Sequence, residues 1–262
     1  MKRTKGRIMN FLRYLPLLKE LVIRDIKVRY RHSVLGMLWT VLNPLLMMAV
    51  MNLIFSKLFR SNIENFSLYY LSGYILFTFF NESTTQALFS VVNNSTLTKK
   101  VYIPKYLFPM SKVVSALVNL GFSFCALLIV MLLSGAKFHW TILLSFVPAA
   151  YLAVFCLGFG MILSTMFVFF RDIGHLYGVL TLLWMYLTPL FYPEELLISN
   201  GLEILLKLNP VYQNVSYFRM LVMDGAVPGL MHNLACLLPG VFFLLLGIFI
   251  FWKRQDDFIL YV

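Results

Sequence analysis

Six stretches of roughly 20 mostly apolar residues recur along this chain, and a segment of that length and character crosses the hydrocarbon of a bilayer as a helix. They run roughly from Val34 to Leu58, Leu68 to Val92, Tyr106 to Leu133, Ile142 to Phe170, Ile173 to Tyr192 and Leu234 to Trp252. Lipid offers no hydrogen bonds, so each span must satisfy its own backbone. Composition agrees. Only 13% of the residues are charged, against about a quarter in a soluble domain. The expected fold is all-α and integral to the membrane, with six transmembrane helices, an N-terminal amphipathic interfacial helix and re-entrant half-helices between spans five and six. Residues 1–33 form the N-terminal segment, 34–252 the transmembrane domain and 253–262 a tail.

An even number of spans puts both termini on one side, and the cations test this. Ten Lys and Arg precede Gly36, and Lys99, Lys100, Lys105, Lys112, Arg171, Lys253 and Arg254 fall on the same side, giving 17. Lys57, Arg60, Lys137, Lys207 and Arg219 make five on the other. Cytoplasmic segments carry the excess of Lys and Arg, so both ends of this multi-pass chain are expected in the cytoplasm. The net charge of +11 is thus accounted for by topology, and a nucleic-acid partner is not expected. The first 35 residues are too charged, and the first apolar stretch too long, for a cleavable signal peptide.

Leu17 to Arg31 has helical periodicity, with Glu20, Arg24, Lys27 and Arg31 on one face and Leu18, Val22 and Ile26 on another. Such a helix lies along a membrane surface with its apolar side in the headgroup region. Between Glu194 and His232, two apolar patterns near Leu202 to Leu208 and Val211 to Met223 are each too short to span and are split by Asn209-Pro210. Half-helices folded back into the outer leaflet fit this pattern, since irregular backbone at membrane depth must be shielded. A surface-lying external loop is the alternative.

Enzyme chemistry finds no foothold. There is no His-Glu-x-x-His motif, no Gly-x-Ser-x-Gly elbow and no Gly-x-x-x-x-Gly-Lys-Ser/Thr loop. His32, His139, His175 and His232 are scattered, and Cys125, Cys156 and Cys236 lie in separate apolar stretches without ligand spacing, so no metal site is expected. Glu82 is the clearest ionisable residue inside a span. It either lines or gates a water-filled path, or makes structural hydrogen bonds with Asn81, Ser83 or Thr84. Arg171-Asp172 sits at a short junction, where it would cap helix ends, pair with the amphipathic helix or snorkel. Tyr69, Tyr70, Tyr102, Tyr106 and Tyr192 fall at span ends, as an interfacial belt does. Phe77, Trp184 and Tyr186 lie deeper, as packing residues or as stacking surfaces for sugar rings.

Four strings share a further property. The run Arg24 to Pro44 (RDIKVRYRHSVLGMLWTVLNP), the basic loop Lys99 to Pro109 (KKVYIPKYLFP), Arg171 to His175 (RDIGH) with Leu187 to Pro193 (LTPLFYP), and Leu208 to Tyr212 (LNPVY) with Tyr217-Phe-Arg219 resemble, in order, the corresponding segments of type-2 ABC export permeases. The subgroup they resemble exports O-antigen, capsular polysaccharide or teichoic acid. The resemblance implies a homodimer around a channel, docked to two copies of a separate ATPase subunit that binds ATP and Mg. No cofactor is implied on this chain. The implied substrate is a polyprenyl-pyrophosphate-linked glycan. Glu20, Arg24, Lys27, Arg31, Thr98, Lys99, Lys100, Tyr102 and Pro104 would form the docking surface. Trp39, Phe55, Phe77, Glu82, Tyr177, Trp184, Tyr186, Phe191 and Tyr192 would line the channel or its gate. An ABC-2 drug or lipid exporter is the nearest alternative, and a membrane-embedded transferase a more distant one.

Overall fold

The computed structural model describes residues 2–31, 33–58, 63, 65–100 and 103–261. Among these there are helices and turns and no strand. In chain order the helices are α1 (Lys2–Tyr30), α2 (Trp39–Leu58), α3 (Phe66–Asn93), α4 (Ser95–Lys100), α5 (Leu107–Ser134), α6 (Phe146–Phe169), α7 (Ile173–Tyr186), α8 (Glu195–Ser199), α9 (Glu203–Leu208), α10 (Pro210–Arg219), α11 (Leu230–Arg254) and α12 (Phe258–Tyr261). A 3-10 turn precedes α2 and another precedes α6, and a π-turn (Met220–Asp224) continues α10.

Among the described residues, four helical segments are long and apolar enough to cross a membrane: Gly36–Phe55, Leu107–Ser134, Trp140–Phe169 and Leu230–Arg254. With them, the chain is a multi-pass membrane protein. The other two expected spans differ in instructive ways. At 28 residues, α3 is about 42 Å long at 1.5 Å per residue, but its centre carries the polar run Asn81 to Gln86. Helix α7 keeps its apolar character yet stops at Tyr186 after 14 residues, about 21 Å, where the expected span ran on to Tyr192. Pro189 has no N–H to donate, and its ring disfavours helical backbone at Thr188.

The core sits where α3, α5, α6 and α10 meet. Leu71, Phe79, Phe80, Leu127, Leu152, Phe155, Val211 and Phe218 are all but inaccessible there. Helices α6 and α11 approach closely because Gly158 faces Gly247. A Cβ on Gly158 would lie 2.3 Å from the Phe243 carbonyl oxygen, and one on Gly247 2.3 Å from that of Gly158.

Helix α1 begins earlier than its periodicity indicates, running through Pro16 from Lys2. Its apolar edge is also differently placed from the expectation. Leu18 and Leu21 are covered by Leu107 and Phe108 at the start of α5, so protein, and not a headgroup layer, receives that edge.

The C-terminal tail is packed as well. The Phe258 ring is buried among Val91, Met161, Val168 and Phe251, and the Lys105 Nζ lies 5.4 Å from its centre while donating to the Gln255 carbonyl. Burial lowers the Lys105 pKa, with Asp256 and Asp257 opposing the shift. Residues 255–261 are therefore a strap across the α1 end of the bundle.

Candidate functional site

Three polar bridges fasten α1 to the body, and all originate in the short run Arg24 to Arg29. Arg24 Nη2 donates to Asn94 Oδ1 at the end of α3 (3.0 Å). Asp25 pairs with Lys112 of α5 at 2.7 Å, an ion pair whose angle aligns no N–H on the carboxylate oxygen. Arg29 pairs with Glu82 in the middle of α3. The spacing explains the division of labour, since Asp25 and Arg29, four residues apart, share one side of α1, while Arg24 stands at the border with the side that Glu20, Lys27 and Arg31 leave exposed. The free side, with Glu20, Ile23, Arg24, Lys27, Val28 and Arg31, forms a shallow concavity.

Glu82 is the centre of a small network. Its Oε1 forms the ion pair with Arg29 and accepts from Asn119 Nδ2 of α5 (2.8 Å) and from Gln86 Nε2 one turn along α3 (3.2 Å). None of the neighbours Asn81, Ser83 and Thr84 expected as partners bonds it. Ser83 and Thr84 donate to the Phe80 carbonyl instead, which is the usual recourse of a hydroxyl in a helix interior. Beside this network lies a cavity of about 260 Å³. Helix α1 contributes Arg29 and Tyr30, α2 contributes Trp39, Thr40, Asn43 and Pro44, α3 contributes Tyr74, Thr78 and Glu82, and α5 contributes Asn119 and Ser123. Burial raises the Tyr30 hydroxyl above its usual pKa, with Arg29 opposing the shift, so it is a neutral donor and acceptor there.

At the other end of the bundle, the broken segment after α7 is held by side chains. Arg219 Nη2 donates to the carbonyls of Pro189 (2.9 Å) and Tyr69 (3.1 Å). The Tyr69 hydroxyl shares its proton between Tyr192 O (3.0 Å) and Pro189 O (3.3 Å). Asn209 caps α10, its Oδ1 accepting from the N–H groups of Val211 and Tyr212, with Pro210 at the first helical position as its missing donor allows. That same oxygen takes the Trp184 indole N–H at 2.8 Å, and Asn209 Nδ2 donates to Thr188 Oγ1 at 3.0 Å. Carbonyls freed by the helix break thus find donors within the protein, as buried backbone requires. Tyr212 adds a hydrogen bond to Glu194.

The aromatic residues expected at a channel separate into three groups. Phe77, Tyr177 and Trp184 pack inside the chain: the Trp184 and Phe80 ring centres lie 4.9 Å apart with their planes tilted by 59°, and Tyr177 bonds Thr84 at 2.5 Å. Trp39 and Tyr186 are exposed. Phe55, Phe191 and Tyr192 are half-buried at the end away from α1, with Phe55 and Phe191 centred 5.4 Å apart. Among the docking candidates, Lys99 is exposed and Pro104 half-buried. Thr98 and Lys100 lie on α4 with side chains outside the described set, and Tyr102 lies outside the described residues. Arg171 turns to the C-terminal strap, donating to Tyr261 O at 3.1 Å and lying 5.2 Å from the Phe167 ring centre. It makes no pair with α1 among the described residues. Asp172 occupies the cap position of α7 without a side-chain cap bond. Sequence reasoning passed over Asn119, Arg29 and Tyr69 as partners. Their signal was only that each is polar within or beside an apolar stretch.

Comparison with known proteins places this arrangement. The chain is 30% identical over 252 residues to the O-antigen export system permease protein RfbA of Myxococcus xanthus, covering 96% of this chain and 97% of that relative. It is 30% identical over 216 residues to a protein of the same description from Klebsiella pneumoniae, covering 80% and 82% of the two chains. Residues 16–223 match the family described as ABC-2 type transporter. That match runs from the apolar edge of α1 through the π-turn after α10, and the chain belongs to the ABC-2 type transporter family.

Proposed function

We propose that this chain is the membrane subunit of an exporter that carries a polyprenyl-pyrophosphate-linked polysaccharide, of O-antigen, capsule or teichoic acid type, out across the cytoplasmic membrane. The observation that carries this reading is the 30% identity to an O-antigen export permease across 96% of the chain. Energy comes from ATP and Mg on a separate ATPase subunit, two copies of which serve a homodimer of this chain.

Three features of the geometry agree with this reading, at the docking side, the dimer face and the broken segment after α7. The exposed side of α1 with Glu20, Lys27 and Arg31, together with Lys99 on α4, is the docking surface. The three bridges from α1 to α3 and α5 carry its displacement into the spans. Helix α7 buries only Tyr177 and leaves Leu176, Val179, Leu180 and Leu183 exposed at helical spacing, a face suited to the second copy. In this reading α3 and α7 complete six spans, both termini are cytoplasmic, and α9 and α10 fold back into the outer leaflet. Shielding of the Leu187 to Pro193 backbone by Tyr69, Asn209 and Arg219 is what makes such a break tolerable at membrane depth.

Deleting the gene tests the reading. Polyprenyl-linked glycan accumulates inside the cell and surface polysaccharide disappears, and a plasmid copy reverses both. Normal surface polysaccharide in the deletion strain would overturn it.

A further inference from the structure

The cavity beside Glu82 has the chemistry of a receptor for an uncharged polyhydroxylated ring. We infer that it binds a single neutral sugar unit of the exported glycan within one protomer. This rests on the export reading and adds a site that the reading does not require.

Charge is the first argument. Among the cavity-lining residues the ionisable groups at neutral pH are Arg29 and Glu82, and they are paired with each other. Their fields cancel, so the cavity does not concentrate anions as an unpaired basic cluster would. A phosphate entering it would have to displace Glu82 from Arg29. Composition is the second. Trp39 and Tyr74 supply aromatic surface, and Asn43 and Asn119 supply amides that can donate and accept at once. Asn119 spends one N–H on Glu82, and the two hydrogen bonds and the ion pair made by that carboxylate all fall on Oε1. Among the described residues no donor reaches Oε2, so it is left to accept from a ligand hydroxyl. Size is the third. At about 260 Å³ the cavity falls below the roughly 300–1,000 Å³ of sites that enclose drug-sized ligands, which suits one ring and not an extended chain. Access is the fourth, because Trp39 and Asn43 are exposed at its mouth. An empty apolar void would need none of these groups.

Cysteine protection on the purified full-length chain tests the site. In a Cys125→Ser background, Asn43→Cys is labelled with a maleimide in the presence of methyl glycosides of hexoses, 6-deoxyhexoses and N-acetylhexosamines, or of inorganic pyrophosphate. At least one glycoside is expected to slow labelling, by about threefold at twice its Kd. Pyrophosphate should not, and a cysteine replacing Gly178 on the open face of α7 should be unaffected. Adding Trp39→Ala should abolish protection. Protection by pyrophosphate in place of the glycosides would overturn the inference in favour of a phosphate site. Absence of protection at about 100 mM glycoside, a hundredfold above a millimolar Kd, would overturn it outright. If Asn43→Cys fails to fold, saturation-transfer NMR on the unmodified chain with the same glycosides decides the matter. Transfer to ring protons supports the site, and none overturns it. The two readings fail separately: export lost on deletion without glycoside protection sinks only this site, whereas protection with normal export in the deletion strain sinks only the exporter.

Discussion

The guanidinium of Arg219 lies 3.5 Å from the centre of the Tyr69 ring while donating to the Tyr69 and Pro189 carbonyls. A buried cation needs such company, because desolvating it without partners is costly. The arrangement ties α10, the start of α3 and the broken segment after α7 into one unit. Arg219→Met should lower the stability of the detergent-solubilised protein by about 1–3 kcal/mol, since two carbonyls each lose one donor while the Tyr69 hydroxyl and Ser72 Oγ still reach them. Arg219→Lys should recover only part of this, because a compact ammonium does not reproduce the planar fork over the ring. Apparent melting temperatures of the three proteins check the order.

The pair Arg29–Glu82 is partly buried and joins α1 to the middle of α3. Reversing either charge should reduce export and stability, and reversing both should restore much of the loss. A double-mutant cycle is expected to give a coupling of about 0.5–3 kcal/mol, the range for residues in one polar network. Glu82→Gln keeps the shape and weakens the attraction, so export should fall at normal protein level. Surface-polysaccharide yield normalised to membrane abundance reads both effects.

Gly158 has no room for a side chain, so Gly158→Ala should separate α6 from α11 and lower the amount of folded protein in the membrane. Gly121, in the middle of α5, has open space where a Cβ would stand, with nothing within 4 Å. Gly121→Ala should therefore be tolerated. Size-exclusion profiles of the two variants in detergent should diverge.

Phe258 is accessible over only 1% of its surface although it stands close to the C-terminus. Phe258→Ala should cost about 3–5 kcal/mol, the usual range for a large core aromatic. Ending the chain after Arg254 should do at least as much, and should raise protease cleavage near Lys105, which loses its contacts with Gln255 and the Phe258 ring. Limited proteolysis of membranes gives the measure.

Much of the helix map was readable because apolar length and proline chemistry act locally. The spans beginning near Leu68, Tyr106, Ile142 and Leu234 fall within a few residues of α3, α5, α6 and α11, and Asn209-Pro210 marks the start of α10. The fifth span was overrun because apolar character continues through Leu190 and Phe191 past the point where Pro189 stops the helix. Of the site, Glu82 stood out as a carboxylate in an apolar stretch. Its partners did not, because Arg29 and Asn119 lie 53 and 37 residues away in sequence and nothing local marks them.

Sequence alone therefore determined that this chain enters a membrane as helices, where those helices begin, and which end gathers the cations. Each follows from the transfer energy or backbone geometry of a short segment. Tertiary structure alone decided which polar groups meet: Arg29 with Glu82, Arg219 with the carbonyls of Tyr69 and Pro189, and Lys105 with a folded-back tail. The reason is physical. A polar group withdrawn from water must find a partner, and the partner it finds is the one that packing of distant helices brings within about 3 Å.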